Sequence, residues 1–275
     1  MGATNYFIKW LIRGFDFYIK SSIHVAFAVY ALLQVSCISF EFPYNEALSY
    51  TIFYGSILGY NFIKYGSLWL KTEKPLSHKP YLILSMISGI AMCFYLMQLN
   101  VKTLICLGFG MLLSLLYSIP SYKKQNLRQL SGIKIYVVAL TWLISTTIIP
   151  FVYFENPLNA KSLLYSLTIF LWVLALMIPF EIRDFPKDPN YLNTWPQQFG
   201  IENTKKTGAI IVIILMILAC VLSSFEITKA LFTQGFVYSL TLILILFSTT
   251  KSHRFYSSFL VESLPILWWI FLVLF

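Results

Sequence analysis

The chain alternates between long runs of apolar positions and short polar interruptions. A bilayer core is crossed by about 20 apolar residues in a helix. Cutting at charges, prolines and polar clusters predicts nine spans, at 21–40, 47–69, 80–98, 102–119, 132–153, 162–182, 207–225, 230–249 and 257–275. No gap holds a soluble domain, so residues 1–275 read as one membrane domain. Ahead of the first span, "YFIKWLIRGFDFYIK" places Lys9, Arg13, Asp16 and Lys20 on one helical stripe. Phe7, Ile8, Trp10, Leu11, Ile12 and Phe15 fill much of the remainder. This pattern predicts an interfacial amphipathic helix over 5–20, lying on the membrane, before a nine-helix bundle over 21–275. The alternative is that it extends the first span.

Composition sharpens this picture. The chain is 58% hydrophobic and only 11% charged, whereas soluble domains carry about 25% charged residues. Its solvent is therefore lipid. The net charge is +9, which in a membrane protein reports orientation and attraction to anionic lipid. No basic, aromatic-interleaved stretch points to nucleic acid. With nine spans, all but Lys102, Lys161 and Lys229 of the 20 Lys and Arg fall on the side of the N-terminus. That side is expected to be cytoplasmic, with Phe275 outside, in a bacterial cytoplasmic membrane. No h-region precedes Lys20, so no cleavable signal is expected. Cys37, Cys93, Cys106 and Cys220 lie in apolar stretches and read as small hydrophobes. His24, His78 and His253 have no ligand spacing.

The acids are distributed differently. Glu181, Asp184 and Asp188 crowd into "PFEIRDFPKD" with Arg183 and Lys187, directly after an uncharged run. On a continuous helix the three carboxylates share a face. Pro186 disfavours helix at Phe185, so the span is expected to end near Arg183 or Asp184. Carboxylates with water suit Mg²⁺ beside a phosphate; a membrane-edge salt-bridge cluster is the other reading. Near the end of the second span, Asn61, Lys64 and Lys71 share a helical face. Lys64 either snorkels or meets a phosphate.

Several stretches, in order, give the chain a resemblance to the UbiA superfamily of intramembrane prenyltransferases. "DFPKD", Asp184 to Asp188, resembles that family's second acidic motif, at the end of the sixth span. "TWPQQFG", Thr194 to Gly200, resembles the stretch that follows it. "LYSIPSYKK" resembles the Tyr-and-Lys segment after helix four, and "KPL", Lys74 to Leu76, the segment after the first motif. The first acidic motif itself is degenerate. Asn61 matches, but its three aspartate positions fall on Phe62, Tyr65 and Trp69.

The resemblance implies an all-α, polytopic fold of nine transmembrane helices around a central cavity. It implies transfer of a prenyl group from a prenyl diphosphate to a membrane-accessible acceptor, lipid-soluble or aromatic. Asp184 and Asp188, assisted by Glu181, would hold Mg²⁺, one ion in place of the usual pair of sites. Asn61, Lys64, Tyr117, Lys123 and Arg128 would bind the diphosphate. The degenerate motif leaves open a catalytically inactive protein that binds an isoprenoid lipid or supports another enzyme. A transporter ranks last, because the ionisable groups cluster at one membrane face.

Overall fold

Apolar runs shed water, and in lipid their backbone amides must be paired within the chain, which an α-helix does completely. The computed structural model describes residues 2–69, 78–118, 132–223 and 228–274, and all regular structure among them is helical. Helix α1 spans Gly2–Lys20, α2 Ile23–Ser39, α3 Glu46–Trp69, α4 Lys79–Leu96 and α5 Val101–Ser118. Then come α6 (Lys134–Tyr153) and α7 (Ala160–Asp184). A short α8 (Trp195–Phe199) leads into α9 (Ile201–Leu222), followed by α10 (Lys229–Leu246) and α11 (Tyr256–Leu274).

A long helix covers each run predicted from the sequence. Seven of them, α4 to α7 and α9 to α11, are long and apolar enough to cross a membrane. The pair α1 and α2, bent by 56° between them, would make an eighth. By length and composition alone, seven or eight spans are counted among the described residues, and the count of nine is not confirmed. The remaining helix, α3, has 24 residues, but its Tyr, Ser, Asn and Lys make it more polar.

Helix α7 shows how sequence becomes position. Asn159 caps its start: the Asn159 side chain accepts from the Ser162 amide (2.9 Å), and the Ser162 hydroxyl accepts from the Asn159 amide (2.8 Å). Ile169, Trp172, Ala175, Ile178 and Ile182 recur at helical spacing and are fully buried. Helix α7 is therefore the most buried of the helices long and apolar enough to cross a membrane. The Trp172 indole donates to Thr241 Oγ1 of α10 (3.0 Å) and meets Trp268 of α11 edge-on, centroids 5.0 Å apart. The helix stops at Asp184, two residues before Pro186, which has no N–H to extend the ladder.

Helix α2 packs on α3, α3 on α5, α5 on α6, α6 on α7, α7 on α9 and α10, α10 on α11, and α11 back on α2. The helices close a ring, with α4 outside it as a hairpin partner of α3. On α4, Ile83, Met86, Ile87, Ile90 and Phe94 are all exposed along one stripe. Such a stripe has lipid as its partner.

Two helices widen where they meet the interior. Ile144–Ile148 of α6 and Tyr256–Val261 of α11 are π-helical. Each precedes a proline, Pro150 and Pro265, which has no N–H for the helical ladder. Hydroxyls also bond back to the preceding turn: Thr146 donates to the Trp142 carbonyl (2.8 Å) and Ser263 to that of Phe259 (2.6 Å).

Candidate functional site

The ring encloses a chamber of about 680 Å³. Its walls are apolar, built from residues such as Val29, Ile52, Met92, Leu176 and Met177, with Tyr60, Trp142 and Tyr117 among the aromatics. The Trp142 indole donates to the Tyr60 hydroxyl at 2.6 Å, so both rings are held. Where α1, α3, α7 and α11 meet, the lining becomes charged: Asp16, Lys20, Lys64, Arg183, Arg254 and Glu262. Four cations face two carboxylates, so that end attracts anions.

Each cation is held by a specific neighbour. Lys64 Nζ donates to Ser22 Oγ at 2.9 Å. The Ser22 hydroxyl donates to Asn61 Oδ1 (2.8 Å), and Asn61 Nδ2 donates to Ser85 Oγ (3.0 Å). Ser22 lies between α1 and α2 with φ 63°, a left-handed conformation unusual for serine. Arg183 is clamped by its neighbour: Nε and Nη2 donate to the two Asp184 oxygens at 2.8 and 2.9 Å, and Nη1 donates to Ser258 Oγ at 3.0 Å. Its guanidinium lies over the Phe180 ring, 5.1 Å from the centroid. Asp16 binds Lys20 (2.6 Å) and Arg254, and so ties α1 to the start of α11. Phe15 strengthens that tie by meeting Phe255 and Phe259 edge-on. The predicted interfacial helix therefore rests on the bundle at the charged end of the chamber.

The predicted site residues separate into groups. Lys64 and Tyr117 line the chamber. Lys123 and Arg128 lie outside the described residues, as does "KPL". Asn61 does not line it: the side chain is fully buried and both its polar atoms are engaged between α2 and α4. Its role here is to hold the serine that holds Lys64, which corrects the expectation of a direct diphosphate contact.

The acidic cluster is engaged by cations of the chain. Glu181 and Asp188 both turn to Lys134 Nζ, at 3.0 and 3.1 Å. Asp184 turns to Arg183. None of the three lines the chamber, and among the described residues no group of three His, Cys, Asp or Glu side chains could hold a metal ion. Arranged so, these donors do not fit the Mg²⁺ site that the resemblance implies. The following segment braces the loop: Gln197 Nε2 donates to the Asp188 and Pro189 carbonyls at 3.0 and 3.2 Å, while its Oε1 accepts from the Thr194 amide.

No protein-family model matches the chain, and no curated protein matches it. Among solved structures, the apo structure of a UbiA homolog from Aeropyrum pernix K1 superposes with TM-score 0.64 at 15% identity, over 91% of this chain and 97% of that one. The chain has the UbiA fold. A second UbiA-fold neighbour is a digeranylgeranylglyceryl phosphate synthase in membranes, with TM-score 0.53 at 14% identity, over 93% of this chain and 92% of that one. At such identities the likeness is one of architecture.

Sequence reasoning on this UbiA-fold chain passed over Glu262. It lies inside the last apolar run, yet faces the chamber and interacts electrostatically with Lys64 and Arg183. The signal was present, since an acid within a span is costly and marks a site. Arg183 stood in the acidic cluster as a counter-ion, although it is the cluster residue that reaches the chamber.

Proposed function

We propose that the chain is a prenyltransferase. It takes a prenyl diphosphate into the chamber and moves the prenyl group to a lipid-soluble or aromatic acceptor reached from the membrane. The observation that carries this reading is the joining, within the UbiA fold, of an apolar chamber of about 680 Å³ to a cationic end. That volume lies within the range of roughly 300–1,000 Å³ typical of small-molecule sites. The digeranylgeranylglyceryl phosphate synthase among the neighbours is named for a product carrying geranylgeranyl groups, and supports the reading.

In this reading the isoprenoid chain lies against the apolar wall and the diphosphate lies between Lys64 and Arg183. The bond between the allylic carbon and the diphosphate oxygen breaks, and the electron pair leaves with the diphosphate. Its growing charge meets donors already in place, which need no reorganisation during the reaction. The allylic carbon gains positive character beside Tyr60 and Trp142, whose ring faces favour a cation. The acceptor then forms the new bond and loses a proton. The charged end is placed at the cytoplasmic face, in keeping with the bias of Lys and Arg.

The test is an equilibrium titration of the detergent-solubilised protein with a non-hydrolysable thiolo analogue of geranylgeranyl diphosphate. Saturable binding is expected, with Lys64→Ala lowering affinity by about 1–3 kcal/mol, the loss of a charge-assisted contact. No saturable binding by the wild-type protein would overturn the reading.

A further inference from the structure

We infer that the chamber binds the anionic head of its amphiphile through the chain's own cations, without a divalent metal. The inference rests on the reading of the chamber as a prenyl-diphosphate site, and departs from the Mg²⁺ dependence that the resemblance implies.

Three observations carry it. First, the carboxylates that would hold a metal are committed elsewhere. The Lys134 ammonium stands 3.0 Å from Glu181 and 3.1 Å from Asp188, filling the space between them. A Mg²⁺ ion binds oxygens at about 2.0–2.1 Å in strict octahedral geometry. It would have to expel that ammonium and also draw Asp184 from the two-point clamp on Arg183. Second, the facing helix offers no carboxylate at the corresponding positions, since Phe62 and Tyr65 stand there and line the chamber.

Third, the cations that do reach the chamber have donors to spare. An ammonium has three N–H donors and a guanidinium five. Lys64 commits one, to Ser22. Arg183 commits one each from Nε, Nη1 and Nη2. Among the described residues, two N–H groups on each therefore remain for an anion. Both side chains are oriented before any ligand arrives, Lys64 by the Ser22–Asn61–Ser85 relay and Arg183 by Asp184, Ser258 and Phe180. The Arg183 fork also matches phosphate oxygens geometrically.

Glu262 gives the inference a sign that can be tested. It is the acid on the chamber lining that faces Lys64 and Arg183. In a metal-bearing site, removing a nearby carboxylate weakens anion binding, because the metal loses a ligand or a counter-charge. In a site made of cations, removing it strengthens anion binding, because a like charge beside the head group is gone.

The experiment titrates the thiolo analogue of geranylgeranyl diphosphate into the full-length protein in millimolar Mg²⁺ and in excess EDTA, for wild type and Glu262→Gln. The expected result is a wild-type Kd that differs by less than about tenfold between the two solutions. In EDTA, Glu262→Gln is expected to bind several-fold more tightly than wild type. A loss of tenfold or more in EDTA, or Glu262→Gln affinity that is unchanged or weaker, would overturn the metal-free inference while leaving the prenyl-diphosphate reading intact. Absence of binding in both solutions would overturn that reading and this inference with it.

Discussion

Lys134 Nζ lies 3.0 Å from Glu181 Oε1, with side-chain exposures of 12% and 2%. It is a charge pair removed from water, and Asp188, 14% exposed, completes it at 3.1 Å. The attraction in such a triad repays desolvation only while every member is present. Lys134→Met leaves two buried carboxylates without their counter-ion. It is expected to destabilise the protein by about 3–5 kcal/mol, read as a lowered thermal midpoint in detergent. Asp188→Asn should cost less, because Glu181 still balances the ammonium. Equal stability of Lys134→Met and wild type would mean that the carboxylates are balanced by something else.

Ser22 combines a demanding backbone angle with a demanding side-chain task. Ser22→Ala removes the hydroxyl from between Lys64 and Asn61, leaving a buried amide oxygen without its donor, at a cost of about 1–3 kcal/mol. Ser22→Gly also loses the hydroxyl, but glycine adopts φ 63° without the penalty of about 1 kcal/mol borne by other residues. The glycine variant should therefore unfold at a higher temperature than the alanine variant, and below wild type. The reverse order would show that the backbone angle carries no penalty.

Gly208 marks a close approach of α9 to its neighbours. A Cβ there would stand 2.6 Å from Ile178 Cδ1 and 3.2 Å from Ile245 Cδ1 and Cγ2. Alanine in place of a mid-helix glycine contributes up to about 1 kcal/mol of propensity, while overpacking costs about 1–3 kcal/mol. The net effect of Gly208→Ala is expected to be destabilising. Ile178→Val removes the Cδ1 that the new methyl meets, so the double variant should melt above Gly208→Ala alone. Additive losses in the double variant would place the clash elsewhere.

The bias of Lys and Arg predicts an orientation. A reporter fused within residues 121–131 is expected to report the cytoplasm, and one fused after Phe275 the opposite side. A translocated signal from the 121–131 fusion would put the charged end of the chamber outside.

The helix positions were legible because length and apolarity are local properties. The end of α7 at Asp184 was readable from Pro186 for the same reason. What was not legible is how charges choose partners across the fold. Glu181, Asp184 and Asp188 are neighbours in sequence, and their crowding left open both a shared metal and a salt-bridge cluster with Arg183 and Lys187. Lys134, remote in the chain, enters between two of them, and Arg183 takes the third. Asn61 shows the same limit: a polar residue on the expected helical face turned out to bridge helices instead of facing the chamber. Glu262 was readable in principle, as a charge inside an apolar run, but spacing alone gives it no partner.

The bend at Ser22 has a consequence for measurement. Ser22, where the chain bends by 56° between α1 and α2, also steadies Lys64 through its hydroxyl, and Asp16 of α1 shares the chamber lining with Arg254. Seating an anion against these cations changes the forces that fasten α1 to the bundle. Amide exchange in α1 should thus respond to chamber occupancy, so the N-terminal arm can serve as a built-in sensor when no turnover is being followed.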